Sequence, residues 1–139
     1  MEPLRIVRKK AARVFNSSAR WKEIGGKRIY FRSSWEWRYA GYLQFMKEQH
    51  KITDWLYEPE TFWFETIKRG VRSYKPDFKV IELTGEHYWV EVKGFMDKKS
   101  ITKLKRFNRF YPKEKMVVVD SPWFVQNHCI LDMLMKGKK

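Results

Sequence analysis

The sequence predicts an α/β fold: a mixed β-sheet flanked by α-helices, built as one domain. Three observations predict it. Apolar residues recur at helix spacing in some stretches and alternate at strand spacing in others, in the order helix, strand, hairpin, helix, strand, helix. The strand, helix and short strand that end this series need a crossover, which makes the last strand pair parallel. The length of 139 residues, with 43% hydrophobic and 17% aromatic residues, suffices for one packed core.

Each element has its own signal. Residues 1–20 form a basic arm with Arg5, Arg8, Lys9, Lys10, Arg13 and Arg20, and residues 21–139 form the domain. Gly25-Gly26 marks a turn before a short strand, Arg28-Ile29-Tyr30-Phe31. Residues 33–50 read as a helix capped by Ser33 or Ser34, with Trp35, Tyr39, Tyr42 and Met46 on one face. Trp55 to Glu65 reads as a strand interrupted at Pro59, hence an edge strand or a bulge. Lys68-Arg69-Gly70 is a basic loop. Residues 74–94 are a hairpin. Residues 97–111 form a basic amphipathic helix with Ile101, Leu104, Phe107 and Tyr111 inward, ended by Pro112. Met116 to Val119 is wholly apolar, the pattern of a strand buried on both faces. Pro122 opens a last helix through Met135.

Charge narrows the function. Thirty Lys and Arg against sixteen Asp and Glu give a net charge of +14, which calls for a polyanionic partner. No run approaches the roughly 18 apolar residues of a membrane span, and no charged-then-apolar leader is present, so nucleic acid is the expected partner and a membrane is not. The single cysteine, Cys129, excludes an internal disulfide. With His50, His87 and His128 it offers no zinc spacing, and a reducing, cytoplasmic setting is expected.

The chemistry concentrates on the hairpin, Y-K-P-D-F-K-V-I-E-L-T-G-E-H-Y-W-V-E-V-K-G. Glu91 and Lys93 are two apart on a strand and point the same way. Whether Asp77 joins them depends on register. A two-residue Thr84-Gly85 turn sets Asp77 opposite Val92, on the wrong face. A three-residue loop, Thr84 to Glu86, or a bulge brings Asp77 to the face of Glu91 and Lys93. Two carboxylates held together repel unless a cation lies between them. All-oxygen ligands suit Mg²⁺, with Mn²⁺ as a substitute, which takes one or two carboxylates plus substrate phosphate. Such a metal can activate water and stabilise charge on a phosphodiester, with Lys93 orienting that water or neutralising the charge.

Pro76-Asp77 followed by Glu91-Val92-Lys93 resembles the signature of the PD-(D/E)xK nucleases. The resemblance implies a restriction-endonuclease-like fold, Asp77 and Glu91 as metal ligands with the Val92 carbonyl, and Lys93 as the catalytic lysine. Glu36, in Ser33-Ser34-Trp35-Glu36, looks like the acid that family often adds from an early helix, serving a second metal. The order of Phe31-Arg32-Ser33-Ser34-Trp35-Glu36, Tyr57-Glu58, Tyr74-Lys75-Pro76-Asp77-Phe78 and Val90-Glu91-Val92-Lys93-Gly94 resembles the endonuclease I type of phage junction-resolving enzymes. It covers roughly residues 28–120, the basic helix ending in Tyr111-Pro112 included. It implies Mg²⁺-dependent cleavage of branched DNA, four-way junctions above all, by a homodimer. Similar blocks occur in small phage nucleases and in transposon end-cleaving nucleases. The alternatives are therefore a nuclease of the same core that cuts linear DNA, and a DNA-binding module without catalysis.

Each residue also has a plainer reading. Asp77 after Pro76 can end a turn, and Glu91 with Lys93 can be a solvated ion pair. Ser33-x-x-Glu36 is a capping box, although Glu36 also shares the inward face of Ala40 and Leu43, where a carboxylate needs a partner. Glu58 and Glu60, beside Pro59, read as exposed strand charges outside the site. Trp55, Trp63 and Trp89 read as core; His87, His128 and Cys129 read as structural. For DNA contact the candidates are Lys98, Lys99, Lys103, Lys105, Arg106 and Arg109 on the basic helix, with Arg8, Lys9 and Lys10 in the arm.

Overall fold

A computed structural model describes residues 20–136 of the chain, so the arm residues Arg8, Lys9 and Lys10 lie outside the described residues. The first two strands, β1 (Arg20–Ile24) and β2 (Lys27–Phe31), are joined by Gly25 and Gly26, both at positive φ. A two-residue hairpin turn requires that conformation at both positions, and glycine adopts it without a Cβ clash. The sequence marks the turn and β2 but not β1, where only Ile24 is buried; Arg20, assigned to the arm, is its first residue.

Helix α1 (Ser34–Glu48) starts at Ser33, whose Oγ accepts the Glu36 N–H at 3.2 Å. The expected interrupted strand resolves into two strands in separate sheets. β3 (Asp54–Tyr57) ends where Glu58 turns to a positive φ of 46° ahead of Pro59. β4 (Phe62–Trp63) then pairs with β5 (Ser73–Tyr74) as a short ribbon. The hairpin is β6 (Phe78–Ile81) and β7 (His87–Val92). α2 (Lys98–Phe110) crosses over to β8 (Met116–Val119), and α3 (Ser121–Lys136) follows.

The main sheet has the order β3-β6-β7-β8, antiparallel except for the parallel β7–β8 pair that the crossover demands. The fold is α/β, with a mixed sheet between helices. On one face, α1 and α3 bury Tyr39, Ala40, Leu43 and Leu131 against Trp55, Phe78, Val80 and Val90. On the other, Trp89 packs with Phe107 of α2 and with Phe62, Phe64 and Tyr74 of the ribbon region.

Four expectations change. The hairpin loop is Leu83 to Gly85, one residue earlier than Thr84 to Glu86: the Glu82 N–H donates to the Glu86 carbonyl at 2.7 Å, and Gly85 takes a φ of 92°. Ile101 is 41% exposed, because the buried stripe of α2 runs through Ser100, Leu104 and Phe107, a register that turns Ile101 aside. Trp63 is 58% exposed, because its neighbour Phe62 takes the inward position of a period-two ribbon. Met116 to Val119 is not buried on both faces; β8 lies at the end of the sheet with β7 as its sheet neighbour, leaving Val117 and Val118 exposed.

Candidate metal centre

Three strand ends meet at one end of the main sheet. The β6–β7 register pairs Phe78 with Val90, so one further step sets Asp77 opposite Glu91. The β3–β6 register pairs Tyr57 with Phe78, so one step beyond it sets Glu58 opposite Asp77. The Glu58 N–H donates to the Asp77 carbonyl at 2.8 Å, which carries the ladder through that step. Glu58, Asp77 and Glu91 thus form a transverse row across three neighbouring strands.

Glu36 joins the row from α1. Its carboxylate, one turn from the helix start, accepts the Ser33 hydroxyl at 3.0 Å and the Tyr57 hydroxyl. The capping box is therefore half used: the Ser33 side chain caps the helix, while the Glu36 side chain turns to the sheet end. Ligand-competent oxygens of Glu36, Glu58 and Asp77 lie within 4.8 Å of one another. Glu91 stands beside this trio and accepts the Tyr74 hydroxyl at 2.6 Å. Val92 donates its N–H to Asp77 Oδ2 at 2.7 Å, which fixes the Asp77 carboxyl against β7.

The electrostatics are those of acids crowded without enough counter-charge. Burial, then the charges of Glu91 and Glu36, push Asp77 well above the usual carboxylate range. Burial also raises Glu36, against the hydrogen bonds from Tyr57 and Ser33, and raises Glu91, against the Tyr74 hydroxyl, Lys93 and Lys103. Tyr57 and Tyr74 are raised by burial and by their carboxylate partners, so both keep their protons as donors. The nearest cation on the Glu58 side is Arg32, in an ion pair with Glu58.

Of the residues chosen from sequence, Glu36, Asp77, Glu91 and Lys93 come to one locality. Lys93 lies near enough to act on the charge of Glu91, and its N–H donates to the Val119 carbonyl at 2.9 Å. On α2 the six cations divide. Lys103 lies near enough to act on the charge of Glu91, Arg106 donates to the Val71 carbonyl beneath the helix, and Lys98, Lys99, Lys105 and Arg109 are exposed. Sequence reasoning missed Glu58, which is half-buried in the acid cluster rather than a solvated strand charge. The signal was there in the Tyr57-Glu58 block; its meaning depends on the β3–β6 pairing, which no local pattern specifies.

Fold and site define an α/β protein with a cluster of buried carboxyls at an open sheet end, in a strongly basic chain. The profile of a family described as protein of unknown function (DUF1064) matches residues 16–126, and the chain belongs to that family. No curated protein and no solved structure gives a match. Among the described residues, no helix is long and apolar enough to cross a membrane.

Proposed function

We propose that this chain is a Mg²⁺-dependent DNA endonuclease that cuts branched DNA, four-way junctions above all, as a homodimer. The observation that carries this reading is the convergence of Glu36, Glu58 and Asp77 oxygens within 4.8 Å, next to Glu91 and Lys93. Buried carboxyls this close are costly unless protons or a cation neutralise them.

The donor set fits Mg²⁺. It is all oxygen and acidic, with no thiol or imidazole among the clustered residues. Asp77 and Glu91 would hold the ion, with the Val92 carbonyl, and Glu36 and Glu58 would complete the site or hold a second one. When bound, the ion supplies Lewis acidity toward the scissile phosphate and toward water. The chain's own groups do the rest. The Val92 N–H and the Tyr74 hydroxyl orient Asp77 and Glu91. The Tyr57 and Ser33 hydroxyls orient Glu36. The Lys93 ammonium offers positive charge to the phosphate oxygens as the phosphorus gains its fifth oxygen. Lys103 and the exposed cations of α2 attract the strand and hold its backbone without reading bases.

A labelled four-way junction and a linear duplex of the same sequence, offered together with Mg²⁺ or chelator, test the reading. Paired, Mg²⁺-dependent cuts confined to the junction, and lost in Lys93→Ala, are the expected result. Equal cutting of the duplex would retain the nuclease and reject junction selectivity. Binding with no cleavage in any divalent metal would reject the enzyme.

A further inference from the structure

The β1–β2 hairpin buries one face and exposes aromatic rings on the other. Its inward side puts Ile24, Ile29 and Phe31 against the core under α1. On its outward side, Trp21 and Tyr30 are paired across the strands, with ring centroids 5.5 Å apart, yet they are 56% and 46% exposed. Arg28 lies 5.0 Å over the Trp21 ring. The charged groups of this outward face are Arg28 and, opposite it, Glu23; Arg20, Lys22 and Lys27 belong by register to the inward side, where Lys22 lies 4.4 Å over the Trp37 ring and Lys27 5.8 Å over the Trp55 ring. Two residues beyond Tyr30, Arg32 reaches the acid cluster through its ion pair with Glu58.

We propose that this outward Trp21–Tyr30–Arg28 surface binds unpaired nucleotides of a DNA strand next to the acid cluster, an inference that rests on the nuclease reading above. Exposed rings beside cations are the elements of a single-strand platform: rings stack on base faces, and the cations hold phosphate. Within a duplex the base faces are already covered by neighbouring bases. Trp21 and Tyr30 therefore reward unpaired nucleotides, whereas the lysines of α2 act on any backbone. A branch point is where a DNA strand can offer an unpaired base, and the short extended path from Tyr30 to Arg32 places that base beside the acids. Stabilisation of the hairpin does not require such exposure, because the inward side chains already anchor it. The Arg28 guanidinium over the Trp21 ring, on a chain of net charge +14, fits a polyanion and no apolar partner.

The test is binding without cleavage, in chelator, of a labelled single-stranded oligonucleotide and of its duplex. Trp21→Ala and Tyr30→Ala should each weaken single-strand binding by on the order of tenfold, while duplex binding changes less than about twofold. Trp21→Phe and Tyr30→Phe should keep most of the affinity. A second measurement covers failure of the alanine variants to fold: the single strand should quench tryptophan fluorescence in the wild type more than in Trp21→Phe. Equal losses on single strand and duplex, or identical quenching in both proteins, overturn the proposal. Selective single-strand binding in a chain that cuts no DNA would reject the nuclease and leave the surface standing.

Discussion

Asp77 is held by opposing forces. Its Oδ2 accepts the Val92 N–H, which favours the charged form, while burial and the three neighbouring acids Glu91, Glu36 and Glu58 favour the proton. Asp77→Asn removes the charge and keeps the shape. It should abolish Mg²⁺-induced stabilisation and lower cleavage by at least about a hundredfold, measured by melting with and without Mg²⁺ and by junction cutting. Lys93→Ala separates chemistry from metal binding. The lysine is a charge beside Glu91 rather than an oxygen donor, so cleavage should fall by about 10²–10³-fold while the Mg²⁺-induced melting shift persists. Loss of both together would make Lys93 a structural counter-charge. Glu58→Gln tests the residue that the registers add to the site. Removing its charge should weaken Mg²⁺ binding on the order of tenfold, read by calorimetry. Unchanged affinity would return Glu58 to a partner of Arg32 alone.

The elements show what local sequence can carry. α1, its Ser33 cap and the basic helix α2 were legible because a capping residue and a 3.6-residue period are local signals. The face shared by Asp77 and Glu91 was only half legible: parity allowed it with a three-residue loop and forbade it with a two-residue turn, and the three-residue loop that forms, one residue earlier, keeps the allowed parity. The row through Glu58 was not legible, because it needs β3 beside β6, a pairing across more than twenty residues. The exposure of Val117, Val118 and Ile101 was likewise decided by neighbours: a strand at a sheet end, and a helix rotated about Ser100. A contact between elements offers a sharper test. Gly94 follows the Glu91-Val92-Lys93 stretch and lies against the ring of Trp35, the residue before Glu36; a Cβ there would meet Trp35 Cζ3 at 2.7 Å. The Trp35 ring cannot retreat easily, because it stacks on Phe124 of α3 with centroids 4.5 Å apart. Gly94→Ala should therefore cost about 1–3 kcal/mol and push α1 from the sheet end, lowering Mg²⁺ affinity as well. Denaturant unfolding checks the first effect. Adding Trp35→Leu to Gly94→Ala should recover part of the loss; strict additivity of the two would disprove the clash.

The whole molecule carries two opposed charge problems: a surface of net +14 and a buried knot of acids. They respond to pH in opposite directions. Glu36, Asp77 and Glu91 are all raised in the folded chain, with burial as the first cause, so between the ordinary carboxylate range and their folded values the native state holds protons that the unfolded chain has released. Stability follows the excess of protons bound by the unfolded chain, which here is negative. The acids' contribution is therefore fully present below about pH 4, and it is lost as pH rises through the raised values. The surface behaves oppositely, since acidification adds positive charge to a chain already repelling itself. Comparison of wild type with Asp77→Asn cancels most of that background. In the absence of divalent metal, the melting temperature of the wild type relative to the variant should fall as pH rises above the ordinary carboxylate range. Mg²⁺ should reverse the trend, because binding displaces the same protons and becomes tighter as they leave. At a hundredfold excess over its dissociation constant the ion should add about 2.7 kcal/mol, a shift of several degrees, and almost nothing in Asp77→Asn. A pH-independent difference between the two proteins, or an equal Mg²⁺ shift in both, would mean that the clustered acids neither share protons nor take a cation at this end of the sheet.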